Sequence, residues 1–521
     1  MIKKKGFNKK NHNKSSQYFL YPNIFTIRQL DGYSNINGDL HPIWGKRFAI
    51  YHPIKSNITC LKNSAWEVFD LLKKNYHKIQ DMLNANNELT THKIKEIINN
   101  FKSRMIVLEN QKGLKVKIIP DFSTNAGVYL QITEYCNFHC PGCSAGLDRY
   151  QPDRLPETMN ENNLEELFQN IIESASNLGF KKLIIKWAGG EPLLPTPFKL
   201  IRKGQPIIKR LQKQYSKIKI YQSILTNGSF LKPELISEIK NWNVHLAVSL
   251  WGIGEDNYKA RGVKKVSGYD IIEGIRLLHN AGIKYNINHV VTPVNSEKFG
   301  NFIRAIWDIQ SNDFIGKDWI WKNGKKPIPL NLTFFRPQTE SQIKSLRNNG
   351  YQKMLNGIRK GFEVILELIK KGVQIPSLRR IDYLQLFSVI PAPCGSGFNY
   401  LVVGPKGITS CIQGLLNTNN FDSIKAKKVN LFKTVNKEYK KTSKLFGPNI
   451  SYLSKNDTIN QILMLHGGSG CPRVASLENN GNFGYAAEIS KIYEKIIEEI
   501  LSLETMRLLH LKKHHPSHLK M

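Results

Sequence analysis

Between residues 126 and 336 the chain alternates short apolar runs with amphipathic stretches, and that alternation restricts the fold more than any other feature. The runs are "GVYLQIT", "KLIIKW", "KIKIYQSILT", "VHLAVSL", "YNINHVV" and "LNLTFF". In the first, Val128, Leu130 and Ile132 fall on one side, as a strand requires. Every run but the last leads into a helical pattern. "NLEELFQNIIESASNLG" gathers Leu164, Leu167, Phe168, Ile171, Ile172, Ala175 and Leu178 on one face, with Gly179 placed to stop it. "KPELISEIKNW", "GYDIIEGIRLLHNAG" and "SEKFGNFIRAIWDI" repeat the period. Repeated strand–helix units predict parallel strands with right-handed crossovers, as a doubly wound sheet or as a barrel. In either architecture the chemistry sits beyond the carboxyl ends of the strands.

The unusual residues lie at those ends. Strand one is followed by "EYCNFHCPGCSAG", which holds Cys136, Cys140 and Cys143. Strand two is followed by "AGGEP" (188–192), strand three by "TNG" (226–228) and strand four by "SLWG" (249–252). Spacings of four and three would align the thiols on one helix face, but Pro141 and Gly142 favour a loop on which three sulfurs converge. Several chemistries fit three such thiols. An iron–sulfur cube would keep one iron without a protein ligand. A tetrahedral zinc would need a fourth ligand, for which His139 stands in place. Cys140 and Cys143 alone have redox-pair spacing. Plain buried cysteines fit poorly beside Pro, Gly, Asn and Ser.

Composition bounds the alternatives. The chain has 521 residues, room for several domains, and 41% of them are hydrophobic. No run of about eighteen apolar residues is present, so no membrane span is expected. The basic N-terminus lacks the apolar core of a signal peptide. Seven cysteines, an odd number, fit a reducing compartment, so a cytoplasmic location is expected. The net charge of +34 fits a nucleic-acid or anionic partner. However, lysine is spread along the whole chain, so nucleic acid is not the favoured partner.

Around this centre the sequence divides further. Residues 1–38 read as a basic flexible tail. Residues 39–112 carry two strands ("FAIYHP", "NITCLK"), two helices and a closing strand, "RMIVLEN", in winged-helix-like order. The first helix carries Ala65, Val68, Phe69 and Leu72 on one face, the second Ile94, Ile97, Ile98 and Phe101. Cys60 reads as a packed core residue. Residues 120–336 form the strand–helix unit and 337–388 a helical bridge. Residues 389–480 contain "CGSGFNYLVVGPKGITSC", a hairpin turned by "GPKG" between Cys394 and Cys411, with Cys471 beyond it. Residues 481–521 read as a long C-terminal helix.

Cys-x3-Cys-x2-Cys after the first strand and Gly-Gly-Glu-Pro after the second resemble the radical S-adenosylmethionine (SAM) superfamily, over roughly residues 125–335. The resemblance implies an α/β fold, a partial (β/α)6 barrel, with a [4Fe–4S] cluster on Cys136, Cys140 and Cys143. It implies SAM chelating the remaining iron, with Gly189 and Gly190 admitting its methionine part closely. It further implies Glu191 near the SAM ammonium, Ser249 and Arg261 near its carboxylate, and Asn227 on the ribose or shaping the turn. Reduction by a donor such as flavodoxin or ferredoxin would then yield a 5′-deoxyadenosyl radical. Two departures stand out. Relatives often place an aromatic residue before the third cysteine, against the adenine, where this chain has Gly142. They also often read Ser-Leu-Asp-Gly where it has Ser249-Leu250-Trp251-Gly252, which would bring Trp251 near the substrate.

The segment from Cys394 to Cys411 resembles the twitch and SPASM auxiliary-cluster extensions. Cys394, Cys411 and Cys471 suffice for at most one auxiliary cluster; the alternatives are a hydrogen-donating thiol or core cysteines. Residues 39–112 resemble leader-peptide recognition elements, which take a peptide as an added strand, although a DNA-binding winged helix has the same element order. Together these resemblances imply a radical SAM enzyme acting on a ribosomally made precursor peptide by thioether formation, carbon–carbon crosslinking or epimerisation. The alternatives are a small-molecule enzyme resembling the molybdenum-cofactor cyclization enzyme, and a zinc-containing nucleic-acid-binding protein.

Overall fold

A computed structural model describes residues 17, 19–20, 24–52, 57–61, 63–104, 106–109, 124–143, 156–263, 270–314, 326–337, 339–378, 380–381, 384–385, 399–405, 407–409, 432 and 488–514. Strand β1 is Phe19–Leu20, β2 is Phe25–Ile36, β3 is Asp39–His52 and β4 is Asn57–Cys60. The last three form an antiparallel sheet in the order β2-β3-β4. Residues 25–36 are therefore sheet, and the expectation of a flexible tail through residue 38 is corrected. The physical reason lies in the register of β2 on β3, which shifts at Ile27/Arg28, Arg28/Leu30 and Leu30/Gly32. These irregularities bring Ile27 and Leu30, three residues apart, both into the core, and so erase the two-residue period by which a strand is recognised.

Helices α1 (Asn63–Lys73), α2 (Ile79–Ala85) and α3 (Thr91–Ser103) follow. Thr90 caps α3, its side chain accepting from Lys93 N. Ile94, Ile97, Ile98 and Phe101 pack with Val68, Phe69 and Leu72 into a satellite core. The closing strand is short: β5 (Val107–Leu108) pairs antiparallel with β1 and not with the three-stranded sheet.

Strands β6 (Asn125–Thr133), β7 (Lys182–Gly189), β8 (Lys219–Thr226), β9 (Val244–Ser249), β10 (Tyr285–Val291) and β11 (Leu330–Phe334) are all parallel and adjacent in chain order. Their crossovers carry α4 (Leu164–Asn177), α5 (Pro195–Gln214), α6 (Pro233–Lys240), α7 (Glu255–Ala260), α8 (Ile271–Ala281) and α9 (Phe299–Gln310). Val128, Leu130, Ile132, Leu183, Ile185 and Trp187 turn toward these helices and join one large core, so the residues alternating with them face the inner side of the sheet.

After α10 (Glu340–Ser345) and α11 (Tyr351–Lys370), β12 (Arg380–Ile381) and β13 (Leu384–Gln385) extend the sheet beyond β11. On the opposite edge, β14 (Tyr400–Gly404) and β15 (Gly407–Thr409) form the expected hairpin. Its first strand pairs in parallel with β6, from Tyr400 opposite Gly127 to Val403 opposite Leu130. The hairpin is thus the edge of the barrel sheet, which has ten strands among the described residues. Cys394, Cys411 and Cys471 lie outside the described residues.

Helix α12 (Glu488–His514) ties the two ends of the chain together. Arg28 forks onto Glu498 at 2.6 and 2.9 Å, and Ser502 Oγ accepts from Leu30 N at 2.9 Å. Glu499 is fully buried and accepts from Tyr33 and from Arg359 of α11. Its carboxyl is raised by burial, against the opposing pull of Arg359. Among the described residues, no helix is long and apolar enough to cross a membrane.

Candidate active site

The loop after β6 is shaped by backbone contacts with its neighbours. Glu134 N donates to Glu157 O and Met159 N to Ile132 O, so the chain returning toward α4 braces the end of β6. Gly190 N donates to Thr133 O and Glu191 N to Tyr135 O, both at 2.7 Å. These two bonds zip the loop after β7 against the cysteine loop. A Cβ on Gly189, whose φ is +124°, would strike Thr133 O, and one on Gly190 would strike Tyr135 O. The two glycines are therefore required by the approach of one loop to the other, whatever else approaches them.

Cys136, Cys140 and Cys143 are half-buried and form no disulfide. Cys143 N donates to Cys140 O at 3.1 Å in a tight turn through Pro141 and Gly142. Burial, then the charge of Glu191, push the Cys136 thiol up to about 12, with Cys140 and Cys143 adding to the effect. Cys140 and Cys143 lie close enough to Cys136 to act on it electrostatically, although among the described residues no three Cys, His, Asp or Glu side chains stand gathered as a metal-binding group. His139, the possible fourth zinc ligand, is exposed. Arg261 Nε donates to Cys140 Sγ at 3.2 Å, and Asn227 Nδ2 lies 3.8 Å from Cys136 Sγ. Three thiols outside any disulfide, with a guanidinium and an amide aimed at two of them, form a donor set suited to negatively charged thiolates, and so to a cluster held by three cysteines.

Glu191 sits differently from the expected contact with a SAM ammonium. It is fully buried; Oε1 accepts from Thr226 Oγ1 at 2.7 Å and Leu193 N at 2.9 Å, and Oε2 accepts from Asn227 N at 2.6 Å. The carboxylate staples the loop after β7 to the loop after β8. Asn227 is 4% exposed and shapes its turn, with Oδ1 accepting from Ser229 N and Ser229 Oγ. Its Nδ2 donates to Asn137 Oδ1 at 2.7 Å, and Asn137 Nδ2 donates to Ser229 Oγ at 2.9 Å. Asn137 and Ser229 escaped sequence reasoning because each is an ordinary loop residue until the two loops meet.

Arg261 is buried at the junction. Besides Cys140, its guanidinium donates to Ser249 O at 2.8 Å and Asn227 O at 3.4 Å. It stacks over Phe138 at 4.4 Å and Trp251 at 5.6 Å. Arg261 thus binds the backbone carbonyl of Ser249 and holds three rim loops together, while the Ser249 side chain is half-buried beside it. Trp251 is 7% exposed and packs on Arg261, which corrects the expectation that it reaches toward substrate.

Gly142 has φ +65°, and a Cβ there would lie 2.5 Å from Phe335 Cε2 and 3.0 Å from Arg336 O. Phe335, just past β11, fills the space that a side chain before the third cysteine would enter. No periodicity marks Phe335 as a site residue; its position follows only from closure of the barrel.

Residues 130–306 match the radical SAM superfamily. The chain is 23% identical over 219 residues to the radical SAM cyclopropyl synthase TigE of Paramaledivibacter caminithermalis, covering 39% of this chain and 45% of that protein. It is 29% identical over 181 residues to the serine-type anaerobic sulfatase-maturating enzyme of Bacteroides thetaiotaomicron, covering 33% and 41%. It is 23% identical over 274 residues to a probable GTP 3′,8-cyclase of Methanosarcina acetivorans, covering 52% and 62%. The chain thus spans about half the length of these relatives. The solved structure of native anSMEcpe with bound AdoMet shares the fold, with a TM-score of 0.52 at 17% identity over 73% of this chain and 99% of that one. Because the matched span begins within β6 and runs into α9, it takes in every residue of the site described above except Phe335 and Arg336, so the site lies in the part of the chain that matches the radical SAM superfamily.

Proposed function

We propose that the chain is a radical SAM enzyme that modifies a ribosomally made peptide. The observation that carries the reading is the cysteine loop itself, zipped to Gly190 and Glu191 and faced by Arg261 and Asn227. Cys136, Cys140 and Cys143 would hold a [4Fe–4S] cluster, and the rim around Gly189, Gly190, Asn227 and Ser249 would receive SAM. Bound there, the two groups supply a 5′-deoxyadenosyl radical that abstracts hydrogen from substrate. The protein's part is to fix the three thiols and to offset their charge with Arg261. A relative named for maturing a sulfatase favours a polypeptide substrate.

The three-stranded sheet β2-β3-β4 is the candidate leader-binding element, with β4 as its open edge, since the edge of β2 is engaged by Ser502 of α12. Cys394, Cys411 and Cys471 are the candidate ligands of one auxiliary cluster. A reducing cytoplasm suits cysteines outside any disulfide and such clusters, and the strongly basic chain would draw an acidic electron donor such as flavodoxin or ferredoxin.

The test is anaerobic reconstitution with iron and sulfide counting and a 5′-deoxyadenosine assay, followed by mass spectrometry of a precursor peptide encoded beside the gene. About eight irons per chain would fit two cubic clusters and about four would fit one. Zinc without SAM cleavage would end the reading. The match to a probable GTP 3′,8-cyclase supports a second reading, a small-molecule substrate, and turnover of a nucleotide with no change in the peptide would favour it.

A further inference from the structure

Below the cysteine rim, the inner face of the sheet carries side-chain amides that the fold leaves unused. Strand alternation sets which residues these are. On β6, Leu130 and Ile132 enter the core under the helices, so Gln131 projects inward. On β10, His289 stacks on Phe299 and Phe302 of α9, which turns Asn286 and Asn288 inward. On β11, Leu332 enters the core and Asn331 faces inward. Asn286 Nδ2 and Asn331 Nδ2 both donate to Asn288 Oδ1, at 2.7 and 3.1 Å. That arrangement uses one acceptor and two donors. It leaves Asn288 Nδ2 as a donor, and the Oδ1 atoms of Asn286 and Asn331 as acceptors, without hydrogen bonds among the described residues. Gln131 is 3% exposed and its Oε1 is buried without a hydrogen-bond partner.

A buried polar atom left unpaired costs about 1–3 kcal/mol; Gln131 Oε1 is such an atom, and with the unused amide groups of half-buried Asn288 and Asn331 on the same face it points to a partner that supplies what the protein does not. The chemistry of the face narrows that partner. None of the six strands β6 to β11 contains Asp or Glu, so a cationic ligand would find no counter-charge. Donors and acceptors are both present, as a peptide group requires. Ala247 and Ser249 are the register neighbours of Asn286 and Asn288, and these small side chains leave room. On the same inner side, Ile184 and Tyr221 remain 44% and 49% exposed, a surface for apolar side chains.

We infer that Gln131, Asn286, Asn288 and Asn331 hold the amide groups of a peptide segment without cationic side chains inside the barrel, with Ile184 and Tyr221 against its side chains. The inference rests on the peptide reading above and adds which residues select the substrate. The test uses the full chain, reconstituted anaerobically with SAM, and two probes at millimolar concentration, N-acetyl-tetra-alanine amide and GTP, followed by saturation-transfer NMR. The variants are Gln131→Met, which removes no protein hydrogen bond, and Asn331→Leu. Both should weaken the alanine probe by about three- to tenfold, as the loss of one hydrogen bond implies, with SAM affinity by equilibrium dialysis unchanged. A parallel loss of SAM affinity would overturn the inference by giving these amides to the cosubstrate. Equal binding of the alanine probe by wild type and variants would overturn it while leaving the peptide reading intact. GTP bound in place of the alanine probe would overturn both, and so would a wild-type chain that binds neither.

Discussion

Phe335 stands where a side chain at residue 142 would have to go: a Cβ on Gly142 would come within 2.5 Å of its ring. The pair forms a steric exchange, a ring brought from the end of β11 in place of one carried by the cysteine loop itself. The positive φ of Gly142 adds a backbone reason for glycine, since an L-residue held there costs about 1–3 kcal/mol.

The exchange can be tested by a double-mutant cycle. Gly142→Phe alone should lower the melting temperature and the iron retained after reconstitution. Phe335→Ala alone should open a cavity costing about 3–5 kcal/mol at most. The double variant should recover part of the loss of Gly142→Phe, because the clash is removed while the strain stays. Strictly additive losses would show that the two positions do not share one space.

Glu191→Gln should destabilise the rim despite its near-identical shape. All three partners of the carboxylate are donors: Thr226 Oγ1, Leu193 N and Asn227 N. An amide NH2 turned toward any of them sets donor against donor, at a cost of about 1–3 kcal/mol. Thermal melts should shift downward, and iron and sulfide counts should fall with them. An unchanged melt would show that the carboxylate is not the staple between the two loops.

Arg261→Met keeps length and apolar packing but removes the donors to Cys140 Sγ and Ser249 O. Loss of a hydrogen bond and a positive charge beside Cys140, a proposed cluster ligand, should move the cluster potential to more negative values. Potentiometric titration followed by electron paramagnetic resonance reads this directly. A merely structural role would lower cluster content and leave the potential of the remaining cluster where it was.

His289 makes acid stability testable. It is buried between Phe299 and Phe302, Nδ1 meets Leu250 O at 3.0 Å, and Nε2 has no hydrogen-bond partner. Burial lowers it from 6.5 to about 3. Between those values the unfolded chain binds a proton that the folded chain does not, so stability is full above about 6.5 and falls as pH drops toward 3. Melting temperatures of the wild type should therefore decline between pH 7 and pH 4 more steeply than those of His289→Gln. Parallel slopes would exclude His289 as a contributor.

Much of this architecture is legible in one dimension because helices and parallel strands report themselves through local periodicity. Helix α4 buries Leu164, Leu167, Phe168, Ile171, Ile172 and Ala175 as its spacing predicts, while Leu178, expected on the same face, is exposed at the helix end. Helix α5 is harder to read, with Pro195 and Pro197 at its start and Pro206 inside it. The first two prolines suit an opening turn. Gly204, which looks like a breaker, is where Trp187 presses so close that a Cβ would lie 2.5 Å from its Cη2. Strand β2 is hidden by its own register shifts, and β14 shows itself as a hairpin strand without showing that its partner is β6.

The sequence by itself determined the alternation that makes a parallel sheet, the placement of unusual loops at the strand ends, and three thiols with the spacing of a cluster loop, because each depends on residues near one another in the chain. Tertiary structure decided what the rim residues do there. Glu191 became a staple, Arg261 a clasp on Cys140, and Phe335 the occupant of the space beside Gly142. Each of these contacts joins residues tens to nearly two hundred positions apart, and no local period encodes a distance that exists only once the barrel has closed.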